Sequence, residues 1–87
     1  MQSERDKRST AKGREKDWDH IVASVISATR QDLDITQEQL ADELGWTRDA
    51  VSNLENQRRH CKVSDLIRIA KALRVEPEAL FRRIVAW

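Results

Sequence analysis

Between Thr36 and Asn56, two short stretches with helical apolar spacing are separated by only Gly45, Trp46 and Thr47. Leu40, Ala41 and Leu44 mark one face of the first stretch, and Ala50, Val51 and Leu54 one face of the second. Helices below about 12–15 residues are marginal in water on their own, so these two persist only by docking on each other and on a larger core. A connection this short forces a sharp crossing, and the crossing dictates residue types. Ala41 is small because the second stretch passes close to it. Gly45 reverses the chain, since it accepts left-handed backbone without a Cβ penalty. Val51 and Leu54 are apolar so that the second stretch can dock. Thr36 with Gln39 has the spacing of a capping box, and Thr47 stands where the next helix needs an N-cap.

Two short helices joined by a glycine-containing turn make a helix-turn-helix unit. The flanking sequence supplies three more helices. Trp18, Ile21, Val22, Val25 and Ile26 follow one face of a first helix ending near Asp32, with Leu33, Asp34 and Ile35 as a connection. The unit's own helices come second and third, the third spanning about 47–56. Leu66, Ile67, Ile69, Ala70 and Leu73 predict a fourth, with Ser64 or a nearby residue at its start. Arg74, Val75 and Glu76 form a link, and Pro77 suits the first turn of a fifth, with Leu80, Phe81, Ile84 and Val85 as its apolar face. Period-two alternation is absent, so the expected fold is all-α, a five-helix bundle over residues 18–87. Residues 1–17 carry six basic and four acidic side chains and almost nothing apolar, which predicts a flexible charged N-terminal arm. A solvated tail is the expected reading of that arm, weighed against contact with a partner.

The net charge of +1 says little about partners, but its distribution says more. Residues 18–44 set Arg30 against six acidic residues, whereas Arg48, Arg58, Arg59 and Lys62 outnumber Asp49 and Glu55 in 45–62. A near-neutral protein can still turn one basic face to phosphates. One cysteine, Cys61, and two histidines, His20 and His60, make no four-ligand zinc set. No phosphate-binding glycine loop, nucleophile elbow or carboxylate pair in a credible cleft stands out, so neither an enzyme nor a cofactor is expected. Cys61 lies beside Arg59 and Lys62, and nearby cations lower a thiol pKa, so a redox-sensing thiol is weighed against an ordinary loop cysteine. No apolar run approaches the length of a membrane span, and a single cysteine suits a reducing cytoplasm.

From Val22 to Phe81 the chain resembles the Cro and repressor regulators of phages and bacteria, the Xre family. The resemblance rests on Thr36-Gln37-x-x-Leu40-Ala41-x-x-Leu44-Gly45, on Thr47-x-x-x-Val51-Ser52-x-Leu54-Glu55, and on Leu66-x-x-Ile69-Ala70-x-x-Leu73-x-Val75. It implies sequence-specific double-stranded DNA binding by a homodimeric transcriptional regulator, usually a repressor, on a palindromic operator, with the third helix in the major groove. Gln37 matches a residue that binds phosphate and often braces the recognition helix, and Thr47 one that binds DNA backbone. Arg48, Asp49, Ser52 and Asn53 match positions facing base edges. Asn56 and the following loop with Arg58 and Arg59 match phosphate contacts. Asp49 has a second reading, in which it caps the third helix or orients Arg48. Arg30 and Glu55 match positions forming a partly buried ion pair between the first helix and the end of the recognition helix.

The chain departs from the family pattern at Asp34, Gln57 and Arg74, where Gly is usual, at Cys61, where Pro is usual, at Lys62, where Ser or Thr caps the fourth helix, and at Trp46, where a smaller aliphatic is common. Gln57 is expected to reshape the left-handed turn after the recognition helix. Trp18 is expected in the core or as a lid on it. Phe81, Val85 and Trp87 are read as an apolar dimer patch at the fifth helix and C-terminus, against the alternative that they fold back and close the core. An antitoxin, a restriction–modification controller, or an adaptor that binds protein and no longer reads DNA are the competing functions. Steep salt dependence would mark DNA binding.

Overall fold

The computed structural model describes residues 16–87, and the charged arm expected over 1–17 falls outside them except for Lys16 and Asp17. Five helices follow in order: α1 (Trp18–Asp32), α2 (Gln37–Leu44), α3 (Arg48–Glu55), α4 (Val63–Ala72) and α5 (Pro77–Ala86). No strand occurs among the described residues.

Each helix begins and ends where its local chemistry dictates. Asp17 caps α1, its carboxylate accepting from the His20 N–H at 3.2 Å. Thr36 and Gln39 form the expected capping box on α2, at 3.0 and 2.8 Å. Gly45 closes α2 with φ +74°, and Thr47 Oγ1 accepts from the Ala50 N–H at 3.1 Å to start α3. Helix α4 starts a residue earlier than Ser64: the Lys62 N–H donates to Asp65 Oδ2 at 3.1 Å, and Asp65 is buried. Pro77 occupies the first turn of α5, where its missing N–H leaves no bond unmade.

Two adjoining apolar clusters form the core. Ile26, Leu40, Ala41, Leu44, Val51, Leu54, Ile69 and Leu73 join α1 to α4 around the helix-turn-helix. Ile21, Val25, Ala70, Leu80 and Ile84 seat α5 on α1 and α4, while Val22, Leu66 and Val75 pack against both clusters. Helix α3 thus rests on α2 and α1, and α5 on α1 and α4. Trp18 is not core: it is 41% exposed, with the Lys16 ammonium 5.7 Å from its ring centre. Helix α1 turns Ile21 into the core from its first turn and leaves the Trp18 ring largely at the surface.

The three glycine departures keep the backbone their positions require. Asp34, Gln57 and Arg74 all adopt left-handed φ, at 57°, 61° and 63°. The turn after α3 is therefore preserved rather than reshaped, at the expense of strain. Left-handed backbone costs an L-residue roughly 1–2 kcal/mol, whereas glycine loses about 0.5–1 kcal/mol more entropy on folding. Arg74→Gly is accordingly expected to raise unfolding free energy by about 0.5–1 kcal/mol in urea titration. A loss of stability would show that the Arg74 side chain does more than bear strain.

Candidate nucleic-acid interface

The polar side of α3 is open. Val51 and Leu54 are 2% exposed and face the core, which turns Arg48, Asp49 and Asn53 outward, with Ser52 half-buried beside them. Along a helix these four positions share one face, and Asn56 continues it one turn later. The Asn56 Nδ2 donates to Ser52 Oγ at 3.3 Å, so those two polar groups form one surface unit. The Thr47 hydroxyl is used locally as the α3 cap. Asp49 neither caps α3, a role Thr47 fills, nor forms a salt bridge with Arg48 among the described residues. Its carboxylate sits in the first turn, where the helix dipole favours negative charge.

Behind this face stands a network that fixes α3. The Arg30 Nε donates to Glu55 Oε2 at 2.8 Å and its Nη2 to Glu55 Oε1 at 3.0 Å. The third guanidinium nitrogen, Nη1, donates to the Ile35 carbonyl at 2.7 Å. Gln37 Nε2 adds a bond to Glu55 Oε1 at 3.0 Å, tying the start of α2 to the end of α3. The Arg30 and Glu55 side chains are only 11% and 5% exposed, so the ion pair implied by the resemblance is present and largely desolvated. Among the described residues no buried side-chain nitrogen or oxygen lacks a hydrogen-bond partner.

The loop after α3 carries Arg58, Arg59 and Lys62 on the surface. The Arg58 N–H donates to the Asn53 carbonyl at 2.7 Å, which turns the chain sharply off the helix. His20 on α1 braces this turn, its Nδ1 lying 3.1 Å from Gln57 Oε1. Arg59 does not extend freely: its guanidinium carbon sits 4.0 Å from the centre of the Trp46 ring. The Arg68 guanidinium approaches the same ring at 6.0 Å and donates to the Leu44 carbonyl at 2.8 Å. Sequence reading missed both the His20 brace and the Trp46 stack. Trp46 was visible as an oversized residue at an aliphatic position, but its partners depend on the path of the loop.

The surroundings of Cys61 do not favour the thiolate that a redox sensor needs. Partial burial, reinforced by the Asp65 charge and only partly offset by Arg59, pushes its thiol from 9.0 up to about 11. The folded value lies above the unfolded one, so the thiol's contribution to stability is full below pH 9 and fades as the pH rises toward about 11. The thiolate is the nucleophile and is about a hundredfold scarcer at pH 8, while its higher pKa makes it more nucleophilic, so iodoacetamide is expected to alkylate Cys61 about tenfold more slowly than a free thiol. Alkylation at the free-thiol rate would contradict this environment.

A short helix with an exposed polar face, locked at a fixed angle to the helix before it, defines a DNA-binding helix-turn-helix protein. The Helix-turn-helix family profile matches residues 26–80, and the chain belongs to that family, of the Xre type. Two solved structures share the fold. The wild-type restriction–modification controller protein C.Esp1396I is 28% identical, with a TM-score of 0.76 over 83% of this chain and 92% of that one. An XRE-family like protein from Pseudomonas syringae pv. tomato str. DC3000 is 25% identical, with a TM-score of 0.77 over 91% of this chain and 95% of that one. No curated protein matches the chain.

Proposed function

We propose that this protein is a homodimeric transcriptional regulator that reads a palindromic operator through α3 and represses by occupying it. The observation that carries the reading is the outward face of Arg48, Asp49, Ser52 and Asn53 on a helix held by the Glu55 network. Arg48 has the fork that pairs with guanine O6 and N7, Asn53 the amide that pairs with adenine N6 and N7, and Asp49 can accept from cytosine N4. Gln37, Thr47, Asn56, Arg58 and Arg59 flank that face and supply phosphate contacts, together with the free N–H groups at the helix starts.

One helix reads too few base pairs for useful affinity, so two copies on half-sites about 34 Å apart are required. The second copy has a surface to dock on. Val63, Ile67 and Phe81, 74%, 40% and 56% exposed, line one apolar hollow between α4 and α5, and Val85 and Trp87, 47% and 51% exposed, follow on α5 and the C-terminus. This surface lies on α4, α5 and the C-terminus, and α5 packs chiefly on α1 and α4. The likeness to a restriction–modification controller supports the regulator reading and makes a controller role its narrower form. The acidic exposed side of α2, with Glu38, Asp42 and Glu43, favours a second reading as a protein-binding adaptor. Salt titration separates the two. DNA binding through several phosphate contacts loses affinity linearly in log salt, with a slope of roughly −0.9 per contact on duplex DNA. A steep slope supports the regulator, and no duplex binding at low salt supports the adaptor.

A further inference from the structure

We infer that Trp46 is a positioning residue for DNA binding, a stacking platform that holds Arg59 ready for a backbone phosphate. The inference rests on the DNA-reading function proposed above. Trp46 immediately precedes the Thr47 cap of α3, and Arg59 follows the end of α3, so their contact closes a clasp across the recognition helix. The ring is itself fixed. It packs against the larger core cluster, and its backbone is held in place by the Trp46 main-chain N–H, which donates to the Ala41 carbonyl at 2.9 Å. At 4.0 Å the Arg59 guanidinium lies within stacking distance of the ring face.

Stacking uses the face of a guanidinium and leaves its N–H edge available, which is the edge that forks onto a phosphate. Arg59 donates to no acceptor and forms no salt bridge among the described residues. Arg68, at the same ring, is different: it is already tied to the Leu44 carbonyl. Arg59 is therefore the guanidinium held in place with its donors uncommitted. Holding a long side chain before binding removes an ordering penalty that a free arginine would meet on the DNA.

The test is a mutant cycle read by affinity for a mixed-sequence duplex DNA, because a phosphate contact does not depend on sequence. Trp46→Leu keeps an apolar side chain against the core and removes the platform, and is expected to weaken binding about three- to tenfold. Arg59→Ala is expected to weaken binding at least as much and to make the salt slope shallower by about 0.9. In the Arg59→Ala background, Trp46→Leu is expected to have no further effect. With Arg59 present, Trp46→Phe, which keeps a ring, is expected to retain most of the affinity that Trp46→Leu loses. Melting curves of each variant establish that the assays are run on folded protein. Two results would overturn the inference alone: an equal Trp46→Leu loss with and without Arg59, or an Arg59→Ala protein with unchanged affinity and slope. A wild-type protein that binds no duplex at low salt would overturn the DNA-reading function and this inference with it.

Discussion

Glu55→Ala is expected to destabilise the protein by about 3–5 kcal/mol, measured by urea or thermal unfolding. The size follows from what the substitution strands. Glu55 accepts two bonds from Arg30 and one from Gln37 in a site where both charged side chains are nearly out of water. Removing the carboxylate leaves the Arg30 guanidinium with only the Ile35 carbonyl as a partner and no counter-charge. Small domains have roughly 5–15 kcal/mol of stability in all, so the loss is a large share of the total. A second ion pair among the described residues, Arg83 with Asp32 at 3.3 Å, gives the internal comparison. Its side chains are 41% and 66% exposed, and Arg83 keeps its bond to Thr29 Oγ1 when Asp32 is removed. Asp32→Ala is accordingly expected to change stability by no more than about 1 kcal/mol. Equal melting temperatures for wild type and Glu55→Ala would remove the network from the account.

Replacing Phe81 and Val85 together by glutamine is expected to give a folded monomer that has lost most of its operator affinity. Leu80 and Ile84, which seat α5 on the core, are untouched, and both replaced side chains are about half exposed. Stability is therefore expected to move by only about 0.5 kcal/mol. Affinity is expected to fall by roughly 10²–10⁴-fold, since binding of the second half-site is no longer tethered to the first. Neutral glutamines leave the net charge unaltered, so the fall cannot come from repelling DNA. Sedimentation together with operator titration checks both parts. A variant that remains dimeric would move the interface elsewhere on the surface.

Much of the helical architecture can be read from local chemistry. Thr36, Gln39, Gly45, Thr47 and Pro77 each act on backbone groups within a few residues, so their positions set the helix ends directly. The Arg30–Glu55 pair was accessible through the resemblance, since its partners lie 25 residues apart with no local signal. What the sequence hides depends on where loops travel. Periodicity assigns Leu80, Phe81, Ile84 and Val85 to one broad face, but packing buries only Leu80 and Ile84. Gln57 and His20 meet across 37 residues, and Arg59 returns to Trp46 after a turn that is left-handed at Gln57. The Cys61 environment inverted for the same reason: adjacent basic residues suggest a lowered thiol, while the loop path buries it beside Asp65.

Sequence-specific DNA reading by α3 is put to the test by incubating the full chain with sheared DNA from its own organism and sequencing what it retains. The wild type is expected to enrich a short palindrome and the Arg48→Ala plus Asn53→Ala variant to lose that enrichment, each side chain contributing about 1–3 kcal/mol of base discrimination. Retention of no preferred sequence at low salt, or the same palindrome retained by the double variant, would contradict it.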